Sequence, residues 1–184
     1  MGKFTQIPQD TFNALQLDAG VLLKSFNPDE PVLENENIIC ATTGGIKATC
    51  VPTYSDMGED VDNAPNGMKE LMKLEGWETS LSFTALTVSE DTVKLALGAY
   101  TENGIGIVPA RYVDQGFFSD IWWVGDRSDG GCVAIKLENA LSTGGLTLTT
   151  TKNGKGTMDI TLNGHFSIDA QDKVPMEFYV ISAA

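Results

Sequence analysis

The chain has 184 residues, enough for one domain with a substantial core, and its 42% hydrophobic and 20% charged content is that of a folded globular protein. Lys and Arg number 12 against 25 Asp and Glu, a formal net charge of −13. The cations are scattered, which excludes tight binding to a phosphate backbone: such affinity comes from clustered positive charge.

In chain order, "LQLDAGVLL" (15–23) alternates Leu15, Leu17, Ala19, Val21 and Leu23 on one face and reads as a strand. "NPDEPVLENEN" (27–37) is acidic and broken by prolines, an excursion from the fold. "GIKATCVPTY" (45–54) is a second strand, followed by another acidic excursion, "SDMGEDVDNAPNG" (55–67). Asp60 and Asp62 begin like a calcium loop, but Ala64 takes the next ligand position and Leu71 stands where the closing Glu belongs. A short helical turn around Met68, Leu71 and Met72 is a further candidate. "WETSLSFTALTV" (77–88) is the third strand.

The period then changes. Ser89 can cap a helix, Glu90 and Asp91 suit its first turn, and Val93, Ala96, Leu97 and Tyr100 keep helical spacing, which predicts one helix over about 89–102. "GIGIVP" (104–109) lacks the third glycine of a dinucleotide fingerprint. "FFSDIWWVGD" (117–126) puts Ile121 and Trp123 on one side of a strand and Trp122 and Val124 on the other. A strand apolar on both faces must be covered twice, either by a helix laid over its outer face or by a partner subunit at Trp122 and Trp123. "GDRSDGG" (125–131) is a turn leading into "CVAIKLENA" (132–140), and "PMEFYVIS" (175–182) is the last strand.

Residues 144–168 form the clearest hairpin. Leu146 and Leu148 face one way with Thr147, Thr149 and Thr151 opposite; Met158, Ile160, Leu162, Phe166 and Ile168 oppose Asp159, Thr161 and Asn163. Apolar residues must pair with apolar ones, so paired numbers sum to an even value and the loop is odd in length. A three-residue loop of Gly154, Lys155 and Gly156 satisfies this and sets Leu148 against Leu162 and Thr149 against Thr161. So many short strands with turn signals place the chain in a mainly β class, sandwich or barrel, as one domain over 1–184.

Signals for chemistry are sparse. The single histidine, His165, has no GxSxG elbow or similar signature to work with and reads as a solvated strand residue. Cys40, Cys50 and Cys132 form no CxxC, so neither a zinc site nor a disulfide framework is indicated. No cofactor, metal or catalytic residue is expected. The start, MGKFTQIPQD, lacks an apolar leader core and no apolar run could span a bilayer, so synthesis in a cytoplasm and no membrane partner are expected.

"DIWWVGDRSDGGCVAIKLENALSTGGLTLTTTKNGKGTMDITLNGHFSI" (120–168) with "VPMEFYV" (174–180), "LQLDAGVLLKSFNP" (15–28) and "GWETSLSFTALTVSEDTVKLALGAY" (76–100) resembles the major tail tube protein of long-tailed phages of Gram-positive bacteria. That resemblance covers most of the chain. It implies a two-sheet β-sandwich with one helix, related to the tubes of contractile tails and type VI secretion. It further implies subunits that form hexameric rings stacked into a tube in the virion, alongside other tail proteins, through which DNA passes. Such a family has no active site. On this expectation Thr147, Thr149, Thr151, Asp159, Thr161 and Asn163 line the bore, and Asp56, Glu59, Asp60 and Asp62 reach the next ring. Three rival readings are a carbohydrate-binding module with Trp77, Trp122 and Trp123 as its platform, an enzyme using two carboxylates in a cleft, and another virion part such as a tail terminator or decoration protein.

Overall fold

The computed structural model describes residues 7–8 and 10–183. Its strands in chain order are β1 (Val21–Leu23), β2 (Thr42–Asp56), β3 (Met72–Ala85), β4 (Tyr100–Asn103), β5 (Gly106–Pro109), β6 (Ser119–Asp126), β7 (Cys132–Ser142), β8 (Thr147–Thr149), β9 (Thr157–Asn163) and β10 (Met176–Ile181). One α-helix among the described residues, α1 (Glu90–Leu97), lies between β3 and β4. The mainly β expectation holds.

Two antiparallel layers pack face to face. One runs β1-β6-β7-β10 and the other β2-β3-β9-β8, and the far end of β7 joins them by pairing Leu141 with Asn163 and Ser142 with Leu162. β4 and β5 form a separate hairpin with Gly104 and Ile105 at its tip. Alternation sends Leu81, Phe83 and Ala85 of β3 and Met158, Ile160 and Leu162 of β9 inward. There they meet Leu22, Ile121, Ile135, Leu137 and Met176 of the facing layer, with Ala96 of α1 closing one side. Burying each large aliphatic side chain contributes roughly 1.5–3 kcal/mol, which makes this contact the chief stabilising interaction.

The tryptophan-bearing strand is indeed covered twice, but not by the helix. Ile121 and Trp123 face the main core, whereas Trp122 packs on the outside with Leu23, Ala134, Val124 and Tyr179. Its cover is Phe26 and Ile38, which flank the acidic excursion 27–37, together with Tyr179 of β10. The excursion is tied at its roots by Lys24 N–H to Asn37 O (2.8 Å) and Ile39 N–H to Leu22 O (2.9 Å). Trp122 is 7% exposed, so it offers no face to a partner subunit. Trp123 is half-buried, and its Nε1 donates to Ala19 O at 2.9 Å.

Several boundaries differ from the sequence reading. Residues 15–19 are not a regular strand, because Asp18 and Gly20 take left-handed backbone (φ 54° and 68°) and break the alternation before Val21. The helix stops at Leu97: Gly98 caps it at φ 73°, and Tyr100–Asn103 continues as β4. Its start is as read, with Ser89 Oγ accepting from Thr92 N–H (3.2 Å) and Thr92 Oγ1 accepting from Ser89 N–H (2.8 Å). Met68 and Leu71 lie in a turn and Met72 opens β3, so no helix forms there.

The β8–β9 hairpin keeps the expected parity but not the register. Leu148 pairs with Met158 and Thr149 with Thr157, and the loop runs over 150–156. The place opposite Leu162 is taken by Ser142 of β7, and Asn153 at φ 62° turns the chain early. β9 ends at Asn163 because Gly164 passes close to β3. A Cβ at Gly164 would lie 2.6 Å from Thr79 Oγ1 and 2.9 Å from Pro175 O. Phe166 and Ile168 are therefore off the strand and exposed, and His165 is not a solvated strand residue.

Candidate functional site: a hydroxyl-lined sheet face

The outer face of β2-β3-β9-β8 is a continuous surface rich in hydroxyl side chains. Register places Thr43, Lys47, Thr49, Val51 and Thr53 of β2 beside Glu78, Ser80, Ser82 and Thr84 of β3. Next come Thr157, Asp159, Thr161 and Asn163 of β9, then Thr147 and Thr149 of β8. Five of the six residues expected to form one polar surface thus do so together. Thr151 does not: β8 ends at Thr149, and Thr151 sits in the following turn, its carbonyl accepting from Gly154 N–H at 3.2 Å. The contribution of β2 and β3 exceeds that of the β8–β9 hairpin. The alternation of Thr49, Val51 and Thr53 with Cys50 and Pro52 was the signal for it in the sequence.

Much of the polar capacity is used across strands. Thr84 Oγ1 donates to Asp159 Oδ1 at 2.7 Å, Ser82 Oγ and Thr161 Oγ1 share a 3.2 Å hydrogen bond, and Thr143 Oγ1 donates to Asn163 Oδ1 at 3.1 Å. Such rungs hold the hydroxyls in place and leave their remaining lone pairs to water. Lys47 stands on this face against Glu78 and Asp159, and toward the tip Lys73, opposite Ser55, is paired with Glu75 at 3.2 Å. Gly44 and Gly45, both at positive φ (76° and 82°), bulge β2 and leave a shallow depression of about 360 Å³ beside Ser82, Thr84 and Asp159.

At one end of this face β2 and β3 run on into the 57–71 tip. Asp56 clasps it: Oδ1 accepts from Gly58 N–H (2.9 Å) and Oδ2 from Gly67 N–H (2.7 Å). The Gly67 and then the Gly58 bond hold the Asp56 carboxyl below its usual range. Of the four acids expected to reach outward, Asp56 is therefore turned into the loop, while Glu59, Asp60 and Asp62 are exposed.

A cavity of about 470 Å³ lies between α1 and the β6–β7 corner. Its ionic side chains are tied to one another or to neighbours: Lys24 to Asp91 (2.8 Å), Lys94 to Glu90 and Glu102 (2.5 and 2.6 Å), Asp120 to Lys136 (2.9 Å). A general acid needs a carboxyl held above its ordinary range. Lys24 pulls Asp91 the other way, and hydrogen bonds do the same to Glu75 and Glu177. His165 is half-buried, its Nδ1 3.1 Å from Asn139 O and its ring edge-on to Phe118 at 5.2 Å. The described residues hold no cluster of three or more His, Cys, Asp or Glu suited to a metal. Residues 127–131 close the β6–β7 turn, with Arg127 N–H on Gly131 O (2.9 Å). The tryptophans form no sugar platform, since Trp122 and Trp123 project from opposite faces of β6 and Trp77 lies on the other layer.

No family model matches the sequence, and no curated protein matches it. Among solved structures, a chain from "Virion of native gene transfer agent (GTA) particle" is similar over 88% of this chain and 95% of that one, at 12% identity and a TM-score of 0.45. Likeness at that level leaves function to be argued from the geometry.

Proposed function

We propose that this chain is a non-catalytic structural subunit of a virion, the building block of a phage-type tail tube. Copies join into rings, six to a ring by the family resemblance, and the rings stack into a conduit for DNA. Subunits made in the host cytoplasm would meet one another and other tail proteins there. The observation that carries this reading is the hydroxyl face of β2-β3-β9-β8, wide, polar and poor in cations, with Lys47 beside acids and Lys73 paired to Glu75. Passing DNA is retarded by each Lys or Arg that neutralises a phosphate, and a wall of hydrated Ser and Thr with scattered acids does not grip it. Six copies at −13 each would bring roughly −78 charges around the bore, screened over about 8 Å at physiological salt.

The open edges fit the same role. β2 is an edge strand from Thr42 to Asp56, paired on one side only, and β10 leaves an edge beyond β7. Ring closure would cover such edges, which otherwise invite uncontrolled pairing. No helix among the described residues is long and apolar enough to cross a membrane.

Electron microscopy of the concentrated protein tests the proposal. Rings or tubes whose bore is lined by β2, β3, β8 and β9 are expected. A bore lined by the Trp122 side of the molecule, or globules that never associate, would refute it. Rings that close but never stack would assign the chain to a tail terminator instead.

A further inference from the structure

The hydroxyl-faced sheet is electrically lopsided along its strands. β9 runs antiparallel to β3, with Met158 opposite Ala85 and Asn163 opposite Ser80. The tip joining β2 to β3 therefore lies beyond one end of the sheet, and the β8–β9 turn lies beyond the other. Residues 56–71 hold Asp56, Glu59, Asp60, Asp62 and Glu70 against Lys69, so 1 − 5 gives −4. Residues 150–156 hold Lys152 and Lys155 and no acid, giving +2.

None of Glu59, Asp60, Asp62, Lys152 and Lys155 forms an ion pair among the described residues, and all are exposed. The 14 residues of β3 at about 3.3 Å each separate the two ends by roughly 46 Å, several screening lengths, so they cannot satisfy each other within one chain. Two copies set head to tail bring them together.

Both ends also expose apolar surface beside their charges. Beyond Ser80, where pairing with β9 ends, the β2–β3 hairpin shows Tyr54 and Leu74, 56% and 46% exposed, with Met57 and Val61 on the tip itself. Leu146 and Leu148 flank the basic turn, 37% and 47% exposed. The Asp56 clasp shapes the tip in advance, which lowers the ordering cost of contact.

We propose that the acidic 57–71 tip of one copy docks on the Lys152–Lys155 turn of a second copy stacked above it, which gives the assembly a fixed head-to-tail polarity. This rests on the tube reading and names the partner surface for its inter-ring contact. The contact is strengthened at low salt and screened at high salt.

Charge reversal tests it. Stacking is followed by sedimentation and light scattering at about 50 mM and about 500 mM salt. K152E/K155E and, separately, E59K/D60K/D62K are each expected to raise the concentration needed for stacking about tenfold at low salt. A chain carrying both sets is expected to stack nearly as the unaltered protein does, because the complementarity is restored with its sign inverted. Zero-length carbodiimide cross-links should join residues 59–62 of one copy to Lys152 or Lys155 of another. All changes lie on exposed loops, and unaltered circular dichroism and melting temperature confirm folding. If rings form but stacking ignores either reversal, or the combined chain stays defective, the docking is overturned while the ring reading stands. A chain that forms no oligomer at any concentration or salt overturns both.

Discussion

Trp122→Ala separates a structural tryptophan from an interface one. The indole is 7% exposed and lies 5.7 Å from the Phe26 ring and 5.5 Å from that of Tyr179, with Lys136 Nζ 5.8 Å from its centroid. Truncating a buried Trp costs about 3–5 kcal/mol, and the low end applies here because Phe26, on a loop root outside the strands, can partly collapse into the space. For a domain of this size, about 2–4 °C per kcal/mol makes the expected fall in melting temperature roughly 6–12 °C. The loss should be measured on dilute monomer by urea denaturation followed with far-ultraviolet circular dichroism, since tryptophan fluorescence changes with the substitution itself. Hydrogen exchange should show the Lys24 and Ile39 amides opening first, because their bonds to Asn37 and Leu22 anchor the segment that has lost its seat. Trp122→Phe keeps a ring between Phe26 and Tyr179 and should lose less than half as much. A monomer destabilised by under about 1 kcal/mol, with assembly nonetheless abolished, would refute the reasoning and return Trp122 to a subunit interface.

Three further outcomes follow from local geometry. A Cβ at Gly125 would sit 2.6 Å from Gln16 Nε2 and 2.8 Å from Trp123 Cζ2, so Gly125→Ala should cost about 1–3 kcal/mol and displace the indole from Ala19 O; unchanged fluorescence and melting temperature would contradict this. Asp56→Ala should speed exchange of the Gly58 and Gly67 amides at neutral pH with little change in global stability. In the unaltered protein the clasp's contribution is present above the ordinary carboxyl value of 3.8 and is lost as pH falls through its lower folded value, so exchange from those amides that loosens already at pH 6 would count against it. Burial raises the Cys40 thiol to about 11, and iodoacetamide near pH 8 should therefore modify Cys40 last of the three cysteines unless the chain is first unfolded. Peptide mass spectrometry reading Cys40 before Cys50 would overturn that order.

What alternation alone can convey was legible in the sequence. The mainly β class, the inward Met158, Ile160 and Leu162, the outward Thr147, Thr149, Asp159 and Thr161, the cap at Ser89 and the turn after Asp126 all depend on neighbours a few residues away. Period 2 and capping chemistry are local, so a linear text records them. The even parity of the β8–β9 pairing belongs to the same class, since it follows from keeping apolar residues on one face.

The rest depended on which strand lies beside which. The hairpin register moved because β7 claims the position opposite Leu162, a competitor that no hairpin rule contains. The cover over Trp122 comes from Phe26 and Ile38, at the roots of an acidic, proline-broken stretch that composition marks only as an excursion, and from Tyr179 of a distant strand. The breadth of the hydroxyl face, and the placing of an acidic tip and a basic turn at its opposite ends, arise only when β2, β3, β9 and β8 are laid side by side. Alternation decides which way each side chain points within its own strand, whereas the surface those side chains share is set by long-range pairing, whose closure entropy and packing no local pattern encodes.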